Sequence, residues 1–123
     1  MGRADPAAGR AAEAAAARAL ERAGYGILGR NLRTPYGEID VVAEKSGRIA
    51  FVEVKARRRD GPTGLAAEAL TPAKMRRVGR AAEHVLRTRG LGDARREFLG
   101  VAVTLEDDGT PGRVEILPME EIR

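Results

Sequence analysis

Residues 37–59 read GEIDVVAEKSGRIAFVEVKARRR. Two β-rich apolar runs flank a Ser46-Gly47 turn, yet Asp40, Glu53 and Lys55 stand inside those runs. A tight turn centred on Ser46-Gly47 fixes an antiparallel register. Glu44 then faces Ile49, Val42 faces Phe51, Asp40 faces Glu53 and Glu38 faces Lys55. Opposed side chains have Cβ atoms about 4.5–5.5 Å apart, so the register sets Asp40 and Glu53 side by side. Lys55, two residues on, shares their face.

Two carboxylates about 5 Å apart repel by roughly 3 kcal/mol at an effective dielectric of about 20, and by under roughly 1 kcal/mol in water. Residues 49–54 (IAFVEV) have the apolar character of a central strand, where charge is costly unless paired or coordinated. Three things can offset the repulsion: protonation of one carboxyl, neutralisation by Lys55, or a divalent cation between the two acids. The cation accounts for the most residues at once, and oxygen ligands without thiolates suit Mg²⁺ or Mn²⁺. The plainer alternative is a solvent-exposed cross-strand network with Glu38 and Lys55 as one salt bridge.

Outward from the hairpin, two helices carry matching punctuation. Asp5-Pro6 starts the first and Gly24 stops it, which predicts a helix over 6–23. Thr71-Pro72 and Gly90 do the same for 72–89. The apolar stripe of this second helix is Met75, Val78, Ala82, Val85 and Leu86, with Lys74 at its edge and able to reach back to the sheet. Arg76, Arg80 and Arg87 lie on the far face, open to solvent or phosphate. YGILGRNLR, GEIDVVAE and RIAFVEVKAR read as a three-strand meander, and EFLGVAVTL and GRVEIL as two further strands. The expected architecture is a mixed α/β domain with a central sheet flanked by helices, in the order α-β-β-β-α-β-β. Residues 58–70 are Gly- and Pro-rich at their start and read as a mobile surface loop.

With 123 residues the chain makes one domain, 1–123. No Cys is present, so disulfides and thiolate metal sites are excluded and a reducing compartment is the natural setting. The N-terminus lacks an apolar h-region, and its Ala-rich run is broken by Glu13 and Arg18, so a soluble, cytoplasmic protein without a membrane segment is expected. A net charge of +4 suits a polyanionic partner. The charge clusters in residues 55–59 (KARRR) and 74–80 (KMRRVGR).

Other constellations point nowhere. His84 is the only histidine and has no Ser or Cys nucleophile arranged with it, which argues against a triad. Glu106-Asp107-Asp108 before Gly-Thr-Pro-Gly reads as a solvated hairpin turn. Two Phe and two Tyr offer little surface for stacking unpaired bases, which disfavours a dedicated single-strand binder. Duplex or branched DNA, recognised by shape and backbone, fits better.

The hairpin resembles the active-site hairpin of the PD-(D/E)XK nuclease superfamily. It is more closely similar to the YraN family of small, functionally uncharacterised bacterial proteins related to archaeal Holliday-junction resolvases. The matching residues are Gly9, Glu13, Gly24, Asn31, Arg33, Gly37-Glu38-Ile39-Asp40, Phe51-Val52-Glu53-Val54-Lys55, Arg57 and Lys74. They span most of 9–89. The superfamily's proline is absent, since Ile39 precedes Asp40, a departure common in YraN-like sequences. Where the family tends to have Arg-Phe-Asp after the second helix, this chain has Arg96-Glu97-Phe98-Leu99-Gly100, so no role transfers to that Asp.

The resemblance implies a restriction-endonuclease-like core in which Asp40 and Glu53 bind Mg²⁺ or Mn²⁺, assisted by the backbone carbonyl of Val54. It implies that Lys55 positions the attacking water and stabilises the developing phosphorane charge. A literal general-base role for Lys55 is less attractive, because nearby carboxylates hold its ammonium protonated. Glu13 matches a carboxylate brought to the metal directly or through water, and its plain reading is a solvated Glu near Arg10. Glu38 pairs with Lys55. Lys74 touches the scissile region or a flanking phosphate, and Arg57, Arg58, Arg59 and Arg77 contact the DNA backbone. The expected function is that of a metal-dependent endonuclease hydrolysing DNA phosphodiester bonds, structure-selective for branched DNA. The alternative is a catalytically weak or inactive nucleic-acid-binding module with the same fold. A protein-interaction adaptor leaves the paired acids unexplained. Resolvase relatives act as dimers because a four-way junction offers two symmetric cuts, which leaves a homodimer open here.

Overall fold

Ser46 and Gly47 both take left-handed backbone, with φ of 53° and 81°, the two-residue turn whose twist suits flanking strands. It sets β2 (Gly37–Lys45) against β3 (Arg48–Arg58) with Glu44 opposite Ile49, Val42 opposite Phe51 and Val41 opposite Val52. That is the predicted register, in a computed structural model that describes residues 6–58 and 72–119. Arg59, the helix-starting Asp5 and Thr71, and all but the first residue of the loop expected at 58–70 lie outside the described residues.

β1 (Gly26–Thr34) lies antiparallel to β2. β4 (Arg95–Leu105) runs parallel to β3 along its whole length, and β5 (Pro111–Pro118) returns antiparallel to β4. The five strands stand in sheet order β1-β2-β3-β4-β5. With α1 (Pro6–Arg22) and α2 (Pro72–Thr88) the element order is α-β-β-β-α-β-β, a mixed α/β sheet flanked by two helices, as expected.

Both helices end by the same device. Gly24, at φ 99°, lets Tyr25 N–H reach the Leu20 carbonyl and Gly24 N–H the Glu21 carbonyl. Gly90, at φ 69°, lets Leu91 N–H reach Leu86 and Gly90 N–H reach Arg87. These 6→1 and 5→2 bonds satisfy the last orphan carbonyls, and a residue with a Cβ would strain the turn.

Two cores sit on opposite faces of the sheet. Under α1, Ala12, Ala16 and Leu20 pack on Val41, Val52, Val101 and Val103. Under α2, Ala81, Ala82, Val85 and Leu86 pack on Val42, Ile49 and Phe51. β3 is thus covered on both sides, which is why residues 49–52 form an unbroken apolar run. Met75 and Val78 of the predicted stripe are only half-buried, and Ala81 joins it instead, because the first turn of α2 overhangs the end of the sheet occupied by Asp40 and Glu53.

Candidate active site

The β2–β3 ladder stops at Val41 and Val52, one step short of Asp40 and Glu53. Beyond it the Asp40 side chain takes the place of backbone: its Oδ2 accepts the Val54 N–H at 2.7 Å. The predicted direct opposition of Asp40 with Glu53 therefore gives way to a forked end, where the acids share a cleft without being a laddered pair. β1 contributes to the fork. Asn31 falls opposite Asp40, between the pairs Arg30 with Val41 and Leu32 with Ile39, and has φ of 54°. Left-handed backbone within a strand breaks its alternation. Beside it the alternation of β2 breaks at Asp40, since Ile39 packs on the α2 core and Val41 on the α1 core.

The opened space is a cleft of about 330 Å³. Asp40, Glu53 and Glu38 line it together with Lys74 and Arg77, and Val78 and Ala81 form its apolar wall. Lys74 does reach back to the sheet: its Nζ lies 2.9 Å from Glu53 Oε2. Arg77 lies against the β1–β2 turn, where its Cδ and Nε would stand 3.6 Å from a Cβ at Gly37. Gly37, at φ 131°, is one place where only glycine fits without strain.

Burial pushes the Asp40 carboxyl up to about 6, and the charges of Glu53, Glu13 and Glu38 push the same way, against the Val54 hydrogen bond that lowers it. Two of the three sequence-based offsets are thus realised in part. Asp40 is held closer to its protonated form, and a lysine does answer Glu53, but it is Lys74 from α2 and not Lys55.

Glu38 apart, the other candidates lie outside the cleft. Lys55 is half-buried on β3, two residues beyond Glu53, and is not among the described residues lining the cleft. Glu38 is exposed and pairs in the ladder with Arg33 of β1, so the expected Glu38–Lys55 bridge does not form. The β2–β3 pairing that would have opposed them has already ended. Glu13 is half-buried on α1 and acts on Asp40 by its charge without lining the cleft. Arg57 is drawn 3.6 Å from Glu115 of β5, beside a separate hollow, and Arg58 is exposed at the strand end. The Asp40 and Glu53 carboxylates are hard oxygen donors of the kind that a divalent cation completed by water takes. Among the described residues no group of three or more His, Asp or Glu is gathered to hold a metal.

Tyr36 escaped the sequence reading. It lines the cleft, is 41% exposed, and meets His84 edge-on at 6.4 Å between ring centroids. The signal was present: an aromatic in a Thr-Pro-Tyr-Gly turn, immediately before GEID, has no core to fill.

Comparison with other proteins places the chain in a family. The chain is 44% identical over 100 residues to a UPF0102 protein of Desulfosudis oleivorans, covering 81% of this chain and 80% of the relative. It is 51% identical over 78 residues to a UPF0102 protein of Aquifex aeolicus, covering 63% and 72%, respectively. A Syntrophus aciditrophicus UPF0102 protein is 40% identical over 109 residues, covering 89% and 84%. The pattern of the uncharacterised protein family UPF0102 matches residues 12–106, from α1 through β4, and with it the whole cleft. By that match and these relatives, the chain belongs to UPF0102, the YraN family that its hairpin resembled.

Proposed function

We propose that this protein is a Mg²⁺- or Mn²⁺-dependent phosphodiesterase, an endonuclease acting on duplex or branched DNA. The observation that carries the reading is the meeting of Asp40 and Glu53 with Lys74 and Arg77 in one cleft. Acids alone would suit a cation and bases alone a phosphate, whereas phosphoryl hydrolysis needs both within one small space. Asp40 and Glu53 would hold the ion, which when bound supplies charge neutralisation at the phosphate and a more acidic water.

The protein's own residues do the rest. The Val54 N–H holds one Asp40 oxygen and so orients the carboxylate. Lys74 and Arg77 offer charge to the non-bridging phosphate oxygens. Lys55, on the same strand face as Glu53, remains the candidate for steering water. The absence of Cys suits a cytoplasmic setting, and no helix among the described residues is long and apolar enough to cross a membrane. Two symmetric cuts on a four-way junction would call for a homodimer.

A second reading is favoured by one observation: Glu53 already has Lys74 as its counter-charge. A cleft neutralised in this way suits a nucleic-acid-binding module with little or no catalysis. Cleavage assays on linear, flapped, forked and four-way DNA with Mg²⁺ or Mn²⁺ decide between them. The nuclease reading expects cleavage that Asp40→Asn and Lys55→Ala each reduce at least about a hundredfold. Cleavage that survives both substitutions belongs to a contaminant. Tight, salt-sensitive binding without cleavage favours the module.

A further inference from the structure

Three hollows meet at one side chain. Tyr36 and Arg77 line both the cleft and a second hollow of about 340 Å³ that adds Arg76 and Arg80. Tyr36 and Arg80 then line a third, of about 230 Å³, that reaches Arg87. Together they form a path that leaves the acidic cleft, passes the tyrosine ring and follows α2.

The path is cationic by construction. Positions 76, 80, 83 and 87 recur at the spacing of one helix stripe, ~16 Å long. Arg76, Arg80 and Arg87 are all exposed. The stripe's acid, Glu83, is bonded to Arg96 of β4, so its charge is answered from outside the stripe.

The turn that carries the ring is tied by its own hydrogen bonds. Tyr36 N–H donates to Thr34 Oγ1 at 3.0 Å, Thr34 Oγ1–H donates to the Gly37 carbonyl at 2.7 Å, and Pro35 restricts the backbone between them. A side chain mounted on a turn tied down in this way costs little backbone ordering on meeting a flat ligand. Binding a duplex by its backbone has no use for such a ring, since paired bases are stacked on each other. An unpaired base does, because base–aromatic stacking is indifferent to sequence.

We infer that Tyr36 and the α2 arginines form a docking track for an unpaired DNA strand, with the ring stacking on the base nearest the cleft and Arg76, Arg80 and Arg87 following its phosphates. The inference rests on the nuclease reading only for the cleft being where the strand is cut. It names the structural feature that the enzyme selects: the junction between paired and unpaired DNA.

The test is fluorescence anisotropy in EDTA, where no cleavage occurs, with a fork carrying a single-stranded arm and a blunt duplex of equal length. Native protein should prefer the fork. Tyr36→Ala should cut that preference about tenfold and Tyr36→Trp restore it. Arg76→Ala/Arg80→Ala should lower the salt slope for a single strand by about 1.4, from two lost phosphate contacts. A preference unchanged in Tyr36→Ala overturns the inference, as does equal loss on fork and duplex, or no DNA binding at all. The same variants with Mn²⁺ test the reaction separately. Fork selectivity without cleavage sinks the nuclease reading and keeps the track, and cleavage indifferent to Tyr36 does the reverse.

Discussion

Lys74 Nζ stands 2.9 Å from Glu53 Oε2, a pair that ties the first turn of α2 to β3 with only 21% and 19% of the two side chains exposed. Any cation bound by Glu53 must compete with that ammonium. A partly buried pair of this kind contributes about 1 kcal/mol, so Lys74→Ala should tighten Mn²⁺ binding about fivefold by calorimetry. DNA affinity should move the other way. An unchanged Mn²⁺ affinity would mean that the ion and Lys74 do not share Glu53.

The Asp40 carboxyl titrates at about 6, against an ordinary value of 3.8. Because the folded pKa is the higher one, the stabilisation is fully present below about pH 4 and is lost as pH rises through about 6. Asp40→Asn keeps the acceptor for Val54 N–H without the charge. It should match the native protein near pH 4 and exceed it by about 1–2 kcal/mol at pH 8, allowing for partial exposure of the carboxyl. Thermal melts at the two pH values check this. Mn²⁺ binding, which needs the ionised form, should tighten as pH rises through about 6, and cleavage at subsaturating Mn²⁺ should rise with it.

Mg²⁺ or Mn²⁺ should raise the melting temperature of the native protein and not of Glu53→Gln, because linkage stabilises only a state that binds the ion. With two carboxylates converging, the shift should appear at millimolar ion and grow from pH 5 to pH 8 as Asp40 ionises. Equal shifts in both proteins would falsify the assignment of Glu53 as a ligand.

Asn31 holds left-handed backbone, φ 54°, opposite Asp40. Glycine tolerates that geometry and a β-branched residue does not, so Asn31→Gly should cost under about 0.5 kcal/mol and Asn31→Val about 1–2 kcal/mol. Denaturant melts measure the difference. Cleavage that falls further in Asn31→Val than stability alone explains would show that the kink positions Asp40.

Arg57 is 3.6 Å from Glu115 and outside the cleft. Arg57→Ala should therefore change DNA affinity less than twofold, while Arg77→Ala costs about tenfold, as the loss of a charge-assisted phosphate contact does. Filter binding at fixed salt separates the two. A larger effect at Arg57 would return the DNA backbone to the end of β3.

Local chemistry made much of this protein legible before folding. The Ser46-Gly47 turn set the hairpin register, since a two-residue loop allows one pairing and the period of two assigns every side chain a face. Gly24 and Gly90 marked the helix ends to within a residue, because few residues besides glycine take the left-handed turn that closes a helix. The same patterns made Asp40 and Glu53 neighbours and put Lys74 on the sheet side of its helix.

What the register could not show was where pairing stops. That depends on the Asn31 kink and on Asp40 preferring the Val54 amide to a place in the ladder, a choice between backbone and side-chain hydrogen bonds made across three strands. Nor could sequence proximity tell which lysine would answer Glu53. Lys55 is two residues away and Lys74 is twenty-one, yet the helix packing on the α2 face brings Lys74 to 2.9 Å. Tyr36, unremarkable in its turn, became the meeting point of three hollows only when α2 laid its arginines beside it. Periodicity determines which face a residue is on, and the packing of one element on another decides what that face meets.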